Sequence, residues 1–167
     1  MIAFFRIAVV AHPLCPRWCK LAAMVEKVHG YKKHEDGGLF EFAIGKVREN
    51  GGVLEHPAGS AAFHTYGLPC LQGHAVWSPT LCGGYVTEVD QCAYGHLARK
   101  RTWLYAYGID PSRLPSLKKG GIATKIVSYA NHRIFRNGVQ RLSKKGRNAT
   151  PEKFAKMLIS IAKIVRR

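Results

Sequence analysis

The chain opens on a near-continuous apolar run, Ile2 to Val10, of mainly β-branched and aromatic residues without polar alternation, the pattern of a strand covered on both faces. Pro16 suits the first turn of a helix over Arg17 to Val28 that ends near Gly30. After the polar stretch Tyr31 to Glu35, Asp36 can cap a second helix. In that helix Leu39, Phe40, Ala43, Ile44 and Val47 recur at helical spacing before Gly51-Gly52 stops it. Val53-Leu54-Glu55 reads as a short strand, and residues 57–84, rich in Gly, Pro, Ser and His, as a long loop. Tyr85 to Asp90 alternates as a strand, and Thr102 to Tyr107 is another, closed by Gly108.

Residues 109–149 are basic and broken by Pro111, Pro115, Gly120 and Gly121. The last helix is predicted with Thr150 as cap, Pro151 in the first turn and Glu152 complementing the dipole. Its apolar stripe is Phe154, Met157, Leu158, Ile161, Ile164 and Val165, and Arg166-Arg167 close it. The organisation expected is one domain, with an α/β core over 1–108, a basic irregular segment over 109–149 and a packed amphipathic helix over 150–167. Strand-helix alternation predicts a mostly parallel sheet with flanking helices and an antiparallel strand near the C-terminal side. In such sheets ligands bind beyond the carboxyl ends of the strands.

Composition removes whole classes. At 167 residues, 47% hydrophobic and 22% charged, the chain fits an ordinary globular domain. No apolar run approaches the ~20 residues that span a bilayer. No basic region precedes the opening strand and His12-Pro13 follows it, so a chain that stays inside the cell, in the cytoplasm, is expected. Charge says more. Residues 1–96 carry eight Lys/Arg and eight Asp/Glu, whereas residues 97–167 carry eighteen Lys/Arg against Asp110 and Glu152. All of the net charge of +16 therefore lies in the C-terminal part, a field that attracts nucleic acid, with a solvated basic face as the bland alternative.

The five cysteines, Cys15, Cys19, Cys70, Cys82 and Cys92, are an odd set in a chain large enough to fold without staples. His12, Cys15 and Cys19 are soft ligands close together, but no second compact pair follows, and no metal is expected. Three neighbourhoods lie where strands end or turn: His12-Pro13-Leu14-Cys15-Pro16, Glu55-His56-Pro57, and Tyr94 to Arg101. Cys15, at the start of the predicted Arg17 helix, reads either as a thiolate nucleophile activated by the helix N-terminus or as an ordinary buried thiol. Trp18, Trp77 and Trp103 are candidates for stacking on bases, Trp103 also for the core.

These segments resemble, in order, the later motifs of the DNA cytosine-5 methyltransferases. The Pro-Cys loop is similar to His12 to Pro16, the Glu-Asn-Val strand end to Val53 to His56, and the Tyr-Gly-x-x-Gln-x-Arg-x-Arg segment to Tyr94 to Thr102. Small bacteriophage-encoded proteins of this type resemble the chain more closely still, at Val10 to Cys15, Gly51 to Ser60, Gly95 to Tyr105 and Thr150 to Ala155.

The resemblance implies a partial Rossmann-like methyltransferase fold and covalent catalysis on a flipped base in DNA, in the cytoplasm of a bacterial host. Cys15 would attack C6 of cytosine, Glu55 would hold the N3 and amino edge, and C5 would take a methyl group from S-adenosylmethionine. Lys100 falls on a family arginine, while Ala98 stands at the glutamine and Thr102 at the second arginine. The expected base or phosphate contacts are His56, His96, Arg99, Lys100 and Arg101. The bland readings are strand-end hydrogen bonding for the two histidines and solvated charge for the arginines.

The family's cofactor site begins with a strand and a glycine-rich turn, and the eleven residues before His12 hold neither a Gly-x-Gly turn nor the acidic residue that follows it. Three outcomes stand open: an enzyme completed by a second polypeptide that supplies the cofactor half, a truncated reading frame, or a non-catalytic basic DNA-binding protein on a remnant fold.

Overall fold

The computed structural model describes residues 7–69, 75–127 and 140–165. The residues before Ile7 in the predicted first strand, Cys70 and Arg166-Arg167 lie outside the described residues. The first strand, β1, is Val9–Ala11. Helix α1 spans Ala22–His29, α2 Leu39–Asn50, strand β2 Gly52–Pro57 and α3 Ala61–Thr65. Strands β3 (Ser78–Pro79) and β4 (Tyr85–Asp90) follow, then a 3-10 turn over Gln91–Tyr94 and β5 (Arg101–Tyr107). The basic segment holds the short strands β6 (Lys125–Ile126) and β7 (Gln140–Arg141) and helix α4 (Lys144–Asn148), and α5 is Glu152–Lys163.

Five strands form one sheet in the order β1-β2-β5-β4-β3. Only β1 and β2 are parallel, in the register Val9–Gly52 to Ala11–Leu54, and every other pair is antiparallel. The mostly parallel, Rossmann-like sheet expected from the sequence is therefore not what forms. Parallel neighbours need a crossover of a dozen or more residues, usually helical. Such a crossover, carrying α1 and α2, joins β1 to β2, whereas β4 and β5 are joined only by residues 91–100 and fold back as a hairpin. A pair of small parallel strands, β6 and β7, stands apart from the sheet.

Alternation along the strands divides the core between two faces. On one, Phe40, Ile44 and Val47 of α2 pack with Leu54, Phe63, Trp103 and Tyr105. On the other, Phe154, Leu158 and Ile161 of α5 pack with Val53, Val89, Leu104 and Ala106. The sheet is thus the middle of three layers, and the apolar stripe of the last helix covers its second face. That helix starts at Glu152 with Pro151 at the cap position and no side-chain cap, so Thr150 does not take the role predicted for it.

Two further expectations change. The segment 57–84 is not all loop: Ser60 caps α3 by accepting from the Ala62 N–H, and β3 pairs with β4. Helix α1 begins at Ala22 rather than beside Pro16, because the chain before it spends its carbonyls elsewhere. The Arg17 carbonyl accepts from the His34 N–H and the Trp18 carbonyl from the Ala61 N–H. Trp18 is 3% exposed, and its indole N–H donates to Asp36 at 2.8 Å. Gly38, not Asp36, takes the cap position of α2, but the Asp36 carboxylate accepts the Phe40 N–H of the first turn at 2.9 Å and so pins the Cys15 loop to that helix.

Replacing Asp36 by alanine removes the acceptor of the Phe40 N–H in the first turn of α2 and strands the buried indole N–H. The expected loss is about 2–4 kcal/mol in urea unfolding, and a change below about 0.5 kcal/mol would contradict this role.

Candidate functional site

Parallel strands side by side deliver their carboxyl ends to one place. Strand β1 leads into His12, Pro13, Leu14 and Cys15, and β2 ends at Glu55, His56 and Pro57 beside it. The hairpin between β4 and β5 returns to the same end and presents Lys100 just before β5. Cys15, Glu55 and Lys100 are thereby brought within electrostatic reach of one another.

Glu55 is the centre of the polar contacts. His12 Nδ1 lies 2.9 Å from one carboxylate oxygen, and Gln91 Nε2 donates to the other at 3.3 Å. Gln91 Nε2 also donates to the Thr102 hydroxyl at 3.0 Å, and that hydroxyl donates to the Lys100 carbonyl at 3.1 Å. The Lys100 ammonium donates to the Ala149 carbonyl at 3.1 Å. Lys100 sits at φ +36°, a left-handed conformation that side chains rarely adopt.

Cys15 does not start a helix. Its carbonyl accepts from the Trp18 and Cys19 N–H groups in a turn, seven residues before α1, so no helix N-terminus acts on its thiol. The activation expected from a helix dipole is accordingly absent. Burial pushes the Cys15 thiol up, Cys19 and Glu55 add to that, and Lys100 opposes it. Burial in turn pushes Lys100 down from the ordinary lysine value, opposed by Glu55 and Cys15.

The other candidates lie in different surroundings. His56 is fully buried, 2.6 Å from the Ser60 hydroxyl and edge-on to Phe40, and burial pushes it down to about 4. His96 is buried between the Ala98 backbone and the Gly146 carbonyl, which its Nε2 meets at 3.2 Å. Arg99 pairs with the buried Asp90 at 2.7 Å, and Arg101 holds the buried Glu88 with two bonds of 2.6 and 2.9 Å. Both histidines are buried, and both guanidiniums are already engaged by carboxylates. The three tryptophans also donate internally: Trp18 to Asp36, Trp103 to Glu88 and Trp77 to the Pro115 carbonyl.

Two members of the cluster were not singled out in these roles by sequence. His12 stands three residues before Cys15, and its approach to Glu55 follows once β1 and β2 are known to be parallel neighbours. Gln91 lies thirty-six residues from Glu55, and no local pattern signals that contact.

The basic segment docks on the hairpin that carries Lys100. The Thr124 and Lys125 N–H groups donate to the Leu97 carbonyl, and the Lys118 N–H to the Tyr94 hydroxyl. A side chain at Gly121, at φ +111°, would lie 2.6 Å from the Ala93 nitrogen, so only glycine allows this approach. Lys118, Lys119, Lys144 and Lys145 remain exposed on the docked segment.

The charged groups acting on Cys15, Glu55 and Lys100, meet protein partners as well: His12 and Gln91 at the carboxylate and the Ala149 carbonyl at the ammonium. A cavity of about 450 Å³, lined among others by Arg48, Gly51, Gly84, Tyr85 and Tyr107, lies at the amino end of β2. That is four residues, roughly 13 Å of strand, from Glu55.

Two outcomes are expected. Alkylation of Cys15 by iodoacetamide, followed by peptide mass spectrometry across pH, has its midpoint above that of an ordinary thiol. Lys100→Met moves it further up, and a midpoint at or below the ordinary value would contradict this environment. The second concerns His56, which is neutral when folded and protonates more readily when unfolded. Its contribution is therefore present above pH 6.5 and lost as pH falls toward about 4. Over that window wild type is expected to lose about 3 kcal/mol more than His56→Asn does, read from unfolding at each pH. Parallel profiles would contradict it.

Comparison of the chain with protein-family models, with curated proteins and with solved structures found no match.

Proposed function

We propose that this chain is a cytosine-5 methyltransferase-like protein that acts on DNA, and that the step its own residues carry is covalent addition of Cys15 to a cytosine ring. The observation that supports this most is the convergence of a thiol, a doubly held carboxylate and an ammonium at the paired ends of β1 and β2. Cys15 passes its proton to the Glu55–His12 pair, and its sulfur adds to C6. The C5–C6 electrons form a C4–C5 double bond, the C4–N3 electrons take up a proton at N3, and Glu55 returns that proton. Lys100 favours the thiolate. The basic segment beside the site supplies sequence-independent affinity for phosphates. Methyl transfer also needs a donor, which on this reading a second polypeptide helps to hold.

One observation favours the second reading, a non-catalytic basic DNA-binding protein: burial keeps the Cys15 thiol protonated.

A trap separates the two. Duplex DNA carrying 2-pyrimidinone at a cytosine position, mixed with the protein and resolved on a denaturing gel, is expected to give a shifted band. Cys15→Ala abolishes it and Glu55→Gln weakens it about tenfold or more. No band from protein that binds the same DNA would overturn the covalent reading. DNA affinity itself is expected to fall about tenfold or more between about 50 and about 200 mM salt, and an unchanged affinity would contradict the phosphate contacts.

A further inference from the structure

Gln91 occupies the first position of the 3-10 turn after β4 and is 1% exposed. The orientation of its amide follows from its partners. The Thr102 hydroxyl has one proton and gives it to the Lys100 carbonyl, so it accepts from the atom 3.0 Å away, which is therefore Gln91 Nε2. The same Nε2 reaches Glu55, which accepts. Gln91 Oε1 is consequently left buried without a hydrogen-bond partner. An apolar residue at this buried position would leave no such oxygen, and the orphan is the cost of aiming Nε2 at Glu55.

The backbone of Gln91 works toward the same end. Its N–H donates to the Lys100 carbonyl at 3.3 Å, and with the Thr102 hydroxyl it gives that carbonyl two donors. Those bonds hold Lys100 in its left-handed conformation at φ +36°. We infer that Gln91, with Thr102, is the positioning residue of the Cys15 site: it fixes the Glu55 carboxylate and the Lys100 backbone in one relation and so sets both charges against the thiol. This rests on the reading of Cys15 as the reacting group. Glu55 and Lys100 act on Cys15 with opposite sign, on top of the larger effect of burial, so their placement modulates the thiol.

The test is a double-mutant cycle on thiol reactivity, which needs no DNA. Glu55→Gln is expected to speed iodoacetamide alkylation of Cys15 about threefold, because it removes the charge that disfavours the thiolate. In the Gln91→Met background the same change is expected to have less than half that effect, since only His12 then holds the carboxylate. An equal effect in both backgrounds, or none in either, would overturn the inference. Should Gln91→Met fail to melt cooperatively, Thr102→Val releases the amide from its anchor, and the Glu55→Gln effect is then expected to shrink by about half. Wild-type protein that traps no pyrimidinone DNA would refute the cytosine chemistry while leaving this cycle intact.

Discussion

Everything at the candidate site depends on the parallel pairing of β1 with β2, which places the Pro-Cys turn next to Glu55. That pairing has a steric condition. Gly52 stands at φ +136°, and a side chain there would lie 2.0 Å from the Val9 carbonyl oxygen, so the two strands meet only because this position carries none. The connection between them makes the pairing durable, because α2 packs Phe40, Ile44 and Val47 over the same sheet and Asp36 ties the Cys15 loop to its first turn. From there the hairpin of β4 and β5 adds Gln91, Thr102 and Lys100.

The second constraint is a contest between desolvation and charge at Cys15. Burial and Glu55 hold the thiol up, Lys100 holds it down, and Lys100 is itself pushed down by burial. In the proposed reaction the protonated thiol needs a base, the role given there to the His12–Glu55 pair. The two arginines beside Lys100 are held by other carboxylates. Arg99 and Arg101 cover the buried carboxylates of Asp90 and Glu88, and Glu88 also takes the Trp103 indole N–H, so their charge stabilises the hairpin that carries Lys100.

Much of this was legible in the sequence. The alternation of Tyr85 to Asp90, the helical spacing of Phe40, Ile44 and Val47, and the stripe of the last helix identify the elements and the faces they bury. Strand ends after Val10 and Glu55 identify where the candidate site lies. Strand direction was not legible, because period-two alternation reports which face a residue takes and says nothing of its neighbour's direction. The short connection from Asp90 to Arg101 is the feature that decides it. The start of α1 was hidden too: Pro16 is a good helix-start signal, and it is overridden by tertiary bonds from the Arg17 and Trp18 carbonyls. The Gln91–Glu55 and His12–Glu55 contacts join residues thirty-six and forty-three apart, beyond the reach of any local pattern.

The central claim is that Cys15 adds reversibly to C6 of cytosine. Addition leaves C5 as an enamine carbon that takes a proton from water and can then lose either hydrogen before the sulfur leaves. DNA labelled with tritium at C5 of cytosine, incubated with the protein and no added cofactor, tests it directly. The account predicts tritium released to water by wild type and none by Cys15→Ser. Label retained by wild-type protein that is bound to the DNA would contradict it.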